Sequence, residues 1–211
     1  MTDPGRFPIP ARVHRVEQVI QRSRFITTVA HAPDPEAAHA FVARMRDEFP
    51  DATHNCWAFV AGPPGSTTRI GMSDDGEPHG TAGRPMLTSL VHSGVGEIVA
   101  VSTRYYGGVK LGTGGLSRAY SGGVVLVLAE MPREEKVDRR GVRLTVGYPD
   151  IDSIQRLVSE REWILLDESF GSDVSLELLI PSSEIEDART LVADRTRGSG
   201  VLEEDAVPPD S

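Results

Sequence analysis

The chain opens on short runs of β-branched and aromatic residues rather than on a helical stripe. RVHRVEQVIQ and SRFITTVAH read as two strands joined near Gln21 to Ser23. The period then lengthens to that of a helix in DPEAAHAFVARMRDEF, where Ala38, Phe41, Val42 and Met45 recur along one face. Asp34 is the expected N-cap of this helix, Pro35 its first residue, Glu36 its first-turn acid and Pro50 its stop. THNCWAFVAG and STTRIGM predict a strand pair around the turn GPPG at 62–65.

The next stretch, SDDGEPHGTAG at 73–83, is too polar and glycine-rich for either regular element and reads as a loop. RPMLTSLVHSG predicts a helix from about Pro85 to Ser93 stopped by Gly94, and VGEIVAVSTRYY a buried strand. A second glycine loop, GGVKLGTGG at 107–115, leads into LSRAYSGGVVLVLAEM, an apolar helix running to about Met131. Gly122 and Gly123 weaken that helix unless a neighbouring segment packs closely against it.

The charged run PREEKVDRR at 132–140 lacks apolar periodicity and places the domain boundary, giving expected domains of 1–135 and 136–211. Beyond it the order is strand, helix, strand, strand, helix, strand: GVRLTVGY, PDIDSIQRLVSERE, WILLDESFGS, DVSLELLIP, SSEIEDARTLVADRTRG and GVLEED. That is the split β-α-β arrangement of ferredoxin-like domains, so the fold class is α+β. Asp150 or Asp152 and Ser182 or Ser183 are the expected caps of its helices, and the tail AVPPDS is expected to be disordered.

Composition narrows the class. With 39% hydrophobic and 25% charged residues the chain is ordinary for a globular protein, and no apolar run reaches the roughly 18 residues of a membrane span. The N-terminus lacks a secretory pattern, and the lone Cys56 rules out an internal disulfide framework, so a cytoplasmic location is expected. Charge is unevenly divided: residues 1–140 hold 16 Lys+Arg and 15 Asp+Glu, a net +1, whereas residues 141–211 hold 6 and 16, a net −10. Nucleic-acid binding rests on neutralised phosphates, so an anionic partner is expected to meet the N-terminal part.

Two loops hold the candidate chemistry. Asp74, Asp75, Glu77 and nearby His79 could hold a divalent cation or act as an acid and base, or, with Gly76 and Gly80, the loop could simply build a tight recognition turn. No EF-hand spacing is present. In the second loop, Gly107, Gly108, Lys110, Gly112, Thr113, Gly114 and Gly115 precede a helix start, whose amides and positive end suit an anion. Neither the Walker nor the dinucleotide glycine fingerprint fits, and the same glycines could serve only turns and close packing. Arg104, Lys110 and Arg118 could form a basic rim beside Tyr105, Tyr106 and Tyr120, a mixture able to pair phosphates and stack bases. His54 and Cys56 share a strand face, but a cysteine in an apolar strand is more often buried than reactive.

The motifs S-D-D-G-E-P-x-G-T-A-G at 73–83, R-Y-Y-G-G at 104–108 and L-G-T-G-G-L at 111–116, with SRFI, HNCWAF and GVGEI, closely resemble the IMPACT/YigZ family. The resemblance covers about residues 10–130 and extends to the tail in pattern only. It implies an N-terminal domain with the left-handed β-α-β fold shared by a ribosomal small-subunit protein, domain four of elongation factor G and several small-molecule kinases. It also implies a second domain similar to the ferredoxin-like domains of that factor. Eukaryotic relatives regulate translation initiation through additional segments that are not expected in this chain. The resemblance therefore implies, by analogy of fold, a non-enzymatic regulator of translation that binds RNA, the ribosome or a translation factor, with no cofactor and no catalytic residue assigned. Two alternatives stay open: an enzyme acting on a small phosphorylated substrate with Mg²⁺, and a protein-interaction module using the acidic domain.

Overall fold

The computed structural model describes residues 5–204, and the expected disordered tail lies outside them. The chain divides into two compact units, one spanning Phe7–Lys136 and the other running from Val137 onward together with the residues before Phe7.

The first unit is built on an antiparallel five-stranded sheet. Its strands are β2 (His14–Ile20), β3 (Ser23–His31), β4 (His54–Val60), β5 (Ile70–Ser73) and β6 (Ile98–Tyr105), in the order β2-β3-β6-β4-β5. β3 and β4 both run antiparallel to β6, so β3, helix α1 (Pro35–Glu48) and β4 form a split β-α-β unit with β6 between its strands. Alternation along β6 gives the sheet two buried faces. Ile98 and Ala100 pack under α2 (Gly83–Val91) and α3 (Gly112–Glu130), while Val99 and Val101 pack under α1 with Phe41, Val42 and Met45. Asp34 caps α1, its Oδ1 accepting from Ala37 N at 2.7 Å.

Two strands go beyond the sequence expectation. β1 (Arg6–Pro10) pairs with β7 (Arg133–Val137) as a separate ribbon. The charged run at 132–140 that reads as a linker is therefore mostly strand, in β7 at 133–137 and again from Arg139 on. In α3 the helix begins at Gly112, four residues before the expected start, and continues through both internal glycines. A Cβ at Gly123 would lie 2.4 Å from Thr27 Oγ1 on β3, so the glycine is what lets helix and sheet approach there.

The second unit has the ferredoxin-like order of elements: β8 (Arg139–Val146), α4 (Ile151–Glu160), β9 (Ile164–Phe170), β10 (Val174–Pro181), α5 (Ile185–Thr196) and β11 (Val201–Glu204). Its antiparallel sheet runs β11-β8-β10-β9. The core gathers Leu144, Ile154, Leu157, Leu176, Leu178, Ile180 and Val192. A 3-10 turn leads into each helix: Asp150 stands at the N-cap of α4 as expected but makes no side-chain cap bond, and the N-cap of α5 is Glu184 instead of Ser182 or Ser183. No helix among the described residues is long and apolar enough to cross a membrane.

Candidate functional site

Strand register delivers the base of the site. Across β3, β6 and β4 it sets Phe25, Arg104 and His54 in one row on the face covered by α2 and α3. Arg104 is only 5% exposed, a costly position for a guanidinium without a partner. Glu77, from the loop before α2, supplies one: Arg104 Nη1 donates to Glu77 Oε1 at 2.6 Å, while Nη2 donates to Ser23 Oγ at 3.2 Å. The guanidinium also faces the rings of Phe25 and Tyr106, 5.3 and 5.4 Å from their centroids. Arg104 Nε is buried without a hydrogen-bond partner among the described residues. The expectation that Arg104 forms part of an exposed basic rim is therefore corrected.

Glu77 is the hub. Oε1 also accepts from the Tyr120 hydroxyl at 2.7 Å, whereas Oε2 stands 3.9 Å from His54 Nε2 and accepts no hydrogen bond among the described residues. Burial above all, with Cys56 and Glu77 beside it, pushes the Tyr120 hydroxyl above its ordinary pKa and keeps it a donor. Tyr120 is thus a core residue packed edge-on against Phe25, not a stacking surface. His54 Nδ1 lies 2.8 Å from the carbonyl of Asp75. A carbonyl only accepts, so Nδ1 bears the hydrogen and Nε2 is turned toward Glu77.

The acidic loop is held by its own carboxylates. Asp74 Oδ1 accepts from Ala82 N and Gly83 N at 3.0 and 2.8 Å, and Oδ2 from Gly80 N at 2.7 Å, so Asp74 caps the start of α2 from eight residues upstream. Burial alone would raise its pKa, but the three amides outweigh it and hold the carboxyl below the usual range. Asp75 Oδ2 accepts from Asn55 N and Oδ1 from Arg46, both at 2.6 Å. Asp75 and Gly76, with φ of 42° and 87°, form the centre of a type I′ turn closed by Glu77 N donating to Asp74 O at 2.9 Å. Each oxygen of Asp74 and Asp75 is thus already engaged, which leaves these two carboxylates poorly disposed as cation ligands. Among the described residues no group of three His, Cys, Asp or Glu side chains is placed to hold a metal ion. The same fold accounts for Cys56: its thiol donates to Asp74 O at 2.9 Å, and burial pushes its pKa well above the ordinary value, which favours the protonated thiol.

After β6 the chain is pinned by Tyr106 N donating to Thr53 Oγ1 at 3.0 Å and Gly107 N donating to Ser23 Oγ at 3.2 Å. Gly112 then turns into α3 with φ of +72°, a conformation that favours glycine. The N-cap residue, Leu111, offers no side-chain bond, so the first-turn amides of α3 are not occupied by a cap. Between these parts lies a cavity of about 510 Å³. Glu77 and Arg104 line it from the buried side, Lys110, Gly112 and Thr113 from the exposed side, and Tyr106, Pro78, Leu111 and Leu116 supply most of its apolar wall. Lys110 is exposed and Tyr106 is 47% exposed.

Of the residues singled out in the sequence, the fold brings Glu77, Arg104, Tyr106, Lys110, Gly112 and Thr113 together around this cavity. Asp74, Asp75, Gly76 and Gly80 shape the loop that presents Glu77, while Gly107, Gly108, Gly114, Gly115 and Arg118 do not line the cavity. Tyr105 alternates away from Arg104; its hydroxyl donates to Asp51 and its ring lies against Arg24. Sequence reasoning does not assign Thr53, Pro78, Leu111, Leu116 or His54 to the site. For His54 the signal is its shared strand face with the buried Cys56, but placing it opposite Arg104 requires the strand order.

Comparison with known proteins yields two family models along the chain. The Impact N-terminal domain matches residues 21–128, and a domain of unknown function, DUF1949, matches residues 144–199. The protein named IMPACT family member YigZ from Escherichia coli (strain K12) is 44% identical over 191 residues, covering 90% of this chain and 94% of its own. An IMPACT family member from Haemophilus influenzae is 41% identical over 199 residues, covering 94% and 97%. A crystal structure of a hypothetical protein superposes with a TM-score of 0.70 at 41% identity, covering 97% of this chain and 99% of that one.

Proposed function

This chain belongs to the IMPACT family, and we propose that it is a non-enzymatic regulator of translation that binds RNA, free or on the ribosome, through the cavity face at the start of α3. The observation that carries this reading is the convergence on one cavity of an uncapped helix N-terminus, the exposed Lys110 and the half-exposed ring of Tyr106. Amides at a helix start and a lysine favour phosphate, and an aromatic ring offers a base a stacking surface. The acidic balance of residues 141–211 supports assigning RNA contact to the N-terminal unit. Such a role places the protein in the cytoplasm.

Binding of ribosomes and of short single-stranded RNA at low salt tests the reading. With Lys110 and Arg118 as the exposed cations nearby, about two phosphates are neutralised, giving a log–log salt slope of about −1.4. Lys110→Glu is expected to weaken binding at least about fivefold and flatten the slope. Absence of binding at low salt, or binding indifferent to Lys110→Glu, overturns it.

A second reading has one observation in its favour. A cavity of about 510 Å³ with a buried carboxylate and a tautomer-fixed imidazole is the size and chemistry of a small-molecule site. A phosphorylated substrate would set its phosphate at the start of α3. Stabilisation of the protein by sugar phosphates with Mg²⁺, in the absence of any RNA binding, would favour this enzyme reading over the first.

A further inference from the structure

We infer that the cavity beside α3 is a single-nucleotide subsite that selects guanine. This rests on the RNA-binding reading above and adds the identity of the base. Two independent observations meet in one cavity. The first-turn amides of α3 lack a side-chain cap and stand near Lys110, which suits a phosphate. Glu77 has a side chain 3% exposed, lines the same cavity, and keeps Oε2 free of hydrogen bonds among the described residues although Oε1 takes two. Oε2 borders the cavity, with His54 Nε2 3.9 Å away, so a ligand seated there can offer it N–H groups.

The wall between these two ends is apolar and aromatic, through Tyr106, Leu111 and Leu116, and fits a flat ring better than a second charge. Guanine is the base whose pairing edge presents two adjacent donors, the N1–H and the N2 amino group. Uracil offers one N–H flanked by two carbonyl oxygens, both of which a carboxylate oxygen repels. Adenine and cytosine each offer one amino donor beside a ring acceptor. Guanine therefore satisfies Glu77 Oε2 best, with its ring against Tyr106 and its phosphate at Gly112 and Thr113.

The test uses the full chain and calorimetric titration with GMP, AMP, CMP, UMP, guanosine and inorganic phosphate. Fluorescence anisotropy with hexauridylate RNA and with the same RNA carrying one guanosine provides a second arm. GMP is expected to bind about tenfold or more tightly than UMP, as for one good donor–acceptor match to a base edge. Guanosine and phosphate alone are expected to bind more weakly than GMP. Glu77→Gln is expected to erase the preference. Because that change touches a buried ion pair, Thr113→Trp, at an exposed residue lining the cavity, serves as a second variant and is expected to block GMP with the fold intact. A preference seen in RNA identifies an RNA nucleotide as the ligand, and one seen only with free nucleotides identifies the mononucleotide; both uphold the guanine subsite. Equal binding of all four nucleotides, or GMP binding untouched by Thr113→Trp, overturns the subsite while leaving RNA binding standing. Loss of RNA binding altogether, with no GMP preference, overturns both.

Discussion

Asp74 shows how one side chain can organise a site without belonging to it. By taking the amides of Gly80, Ala82 and Gly83 it fixes the loop that delivers Glu77 to Arg104. Asp74→Ala is expected to cost about 1–3 kcal/mol at neutral pH, measured by urea unfolding, because several amides lose one acceptor. The pH dependence has a definite sign. The folded-state pKa lies below the ordinary value of 3.8, so the contribution is fully present above that value and is lost as pH falls through the folded pKa. Wild type is therefore expected to lose stability below about pH 4 more steeply than Asp74→Asn. The importance of this loop is legible in the sequence, since so many carboxylates and glycines rarely gather by accident. Their division of labour is not. Asp74, Asp75 and Glu77 read alike as acidic residues, and only the fold decides that the two aspartates brace the loop while Glu77 pairs with Arg104 at the edge of a cavity. Arg104 escapes a correct reading for the same reason: its burial depends on a partner 27 residues earlier in the chain.

At the level of elements, patterns with local causes are readable and those with distant causes are not. The Asp34 cap and the apolar stripe of α1 lie within one short segment, and the structure carries both. The sequence puts the start of α3 too late because three of its first four residues are glycine, each a poor helix former. β1 escapes notice because RFPIP contains two prolines, and β7 because REEKV is charged; their pairing sets residues over a hundred positions apart side by side. The paired glycines of α3 make a sharp comparison. Gly122 has open space where a Cβ would stand, whereas a Cβ at Gly123 would collide with Thr27. Gly122→Ala is expected to stabilise the protein by about 0.5–1 kcal/mol through helix propensity. Gly123→Ala is expected to destabilise it despite the same propensity gain, because the helix must lift from β3. Thermal denaturation of the two variants gives opposite signs if this packing is right.

For the whole molecule, the uneven charge carries the functional argument. A net +1 over residues 1–140 and −10 over residues 141–211 separates a part that can meet phosphate from one that repels it. The ferredoxin-like order of the second unit is legible because six short elements each carry their own period, whereas the cavity is invisible in the sequence because its walls come from β4, β6, the acidic loop and α3. The most direct measurement is ultraviolet cross-linking of the full chain to bound single-stranded RNA, with the linked peptides identified by mass spectrometry. Cross-links at Tyr106 and within residues 110–116 are the expected result. Cross-links confined to residues 141–204, with none around the start of α3, would contradict it.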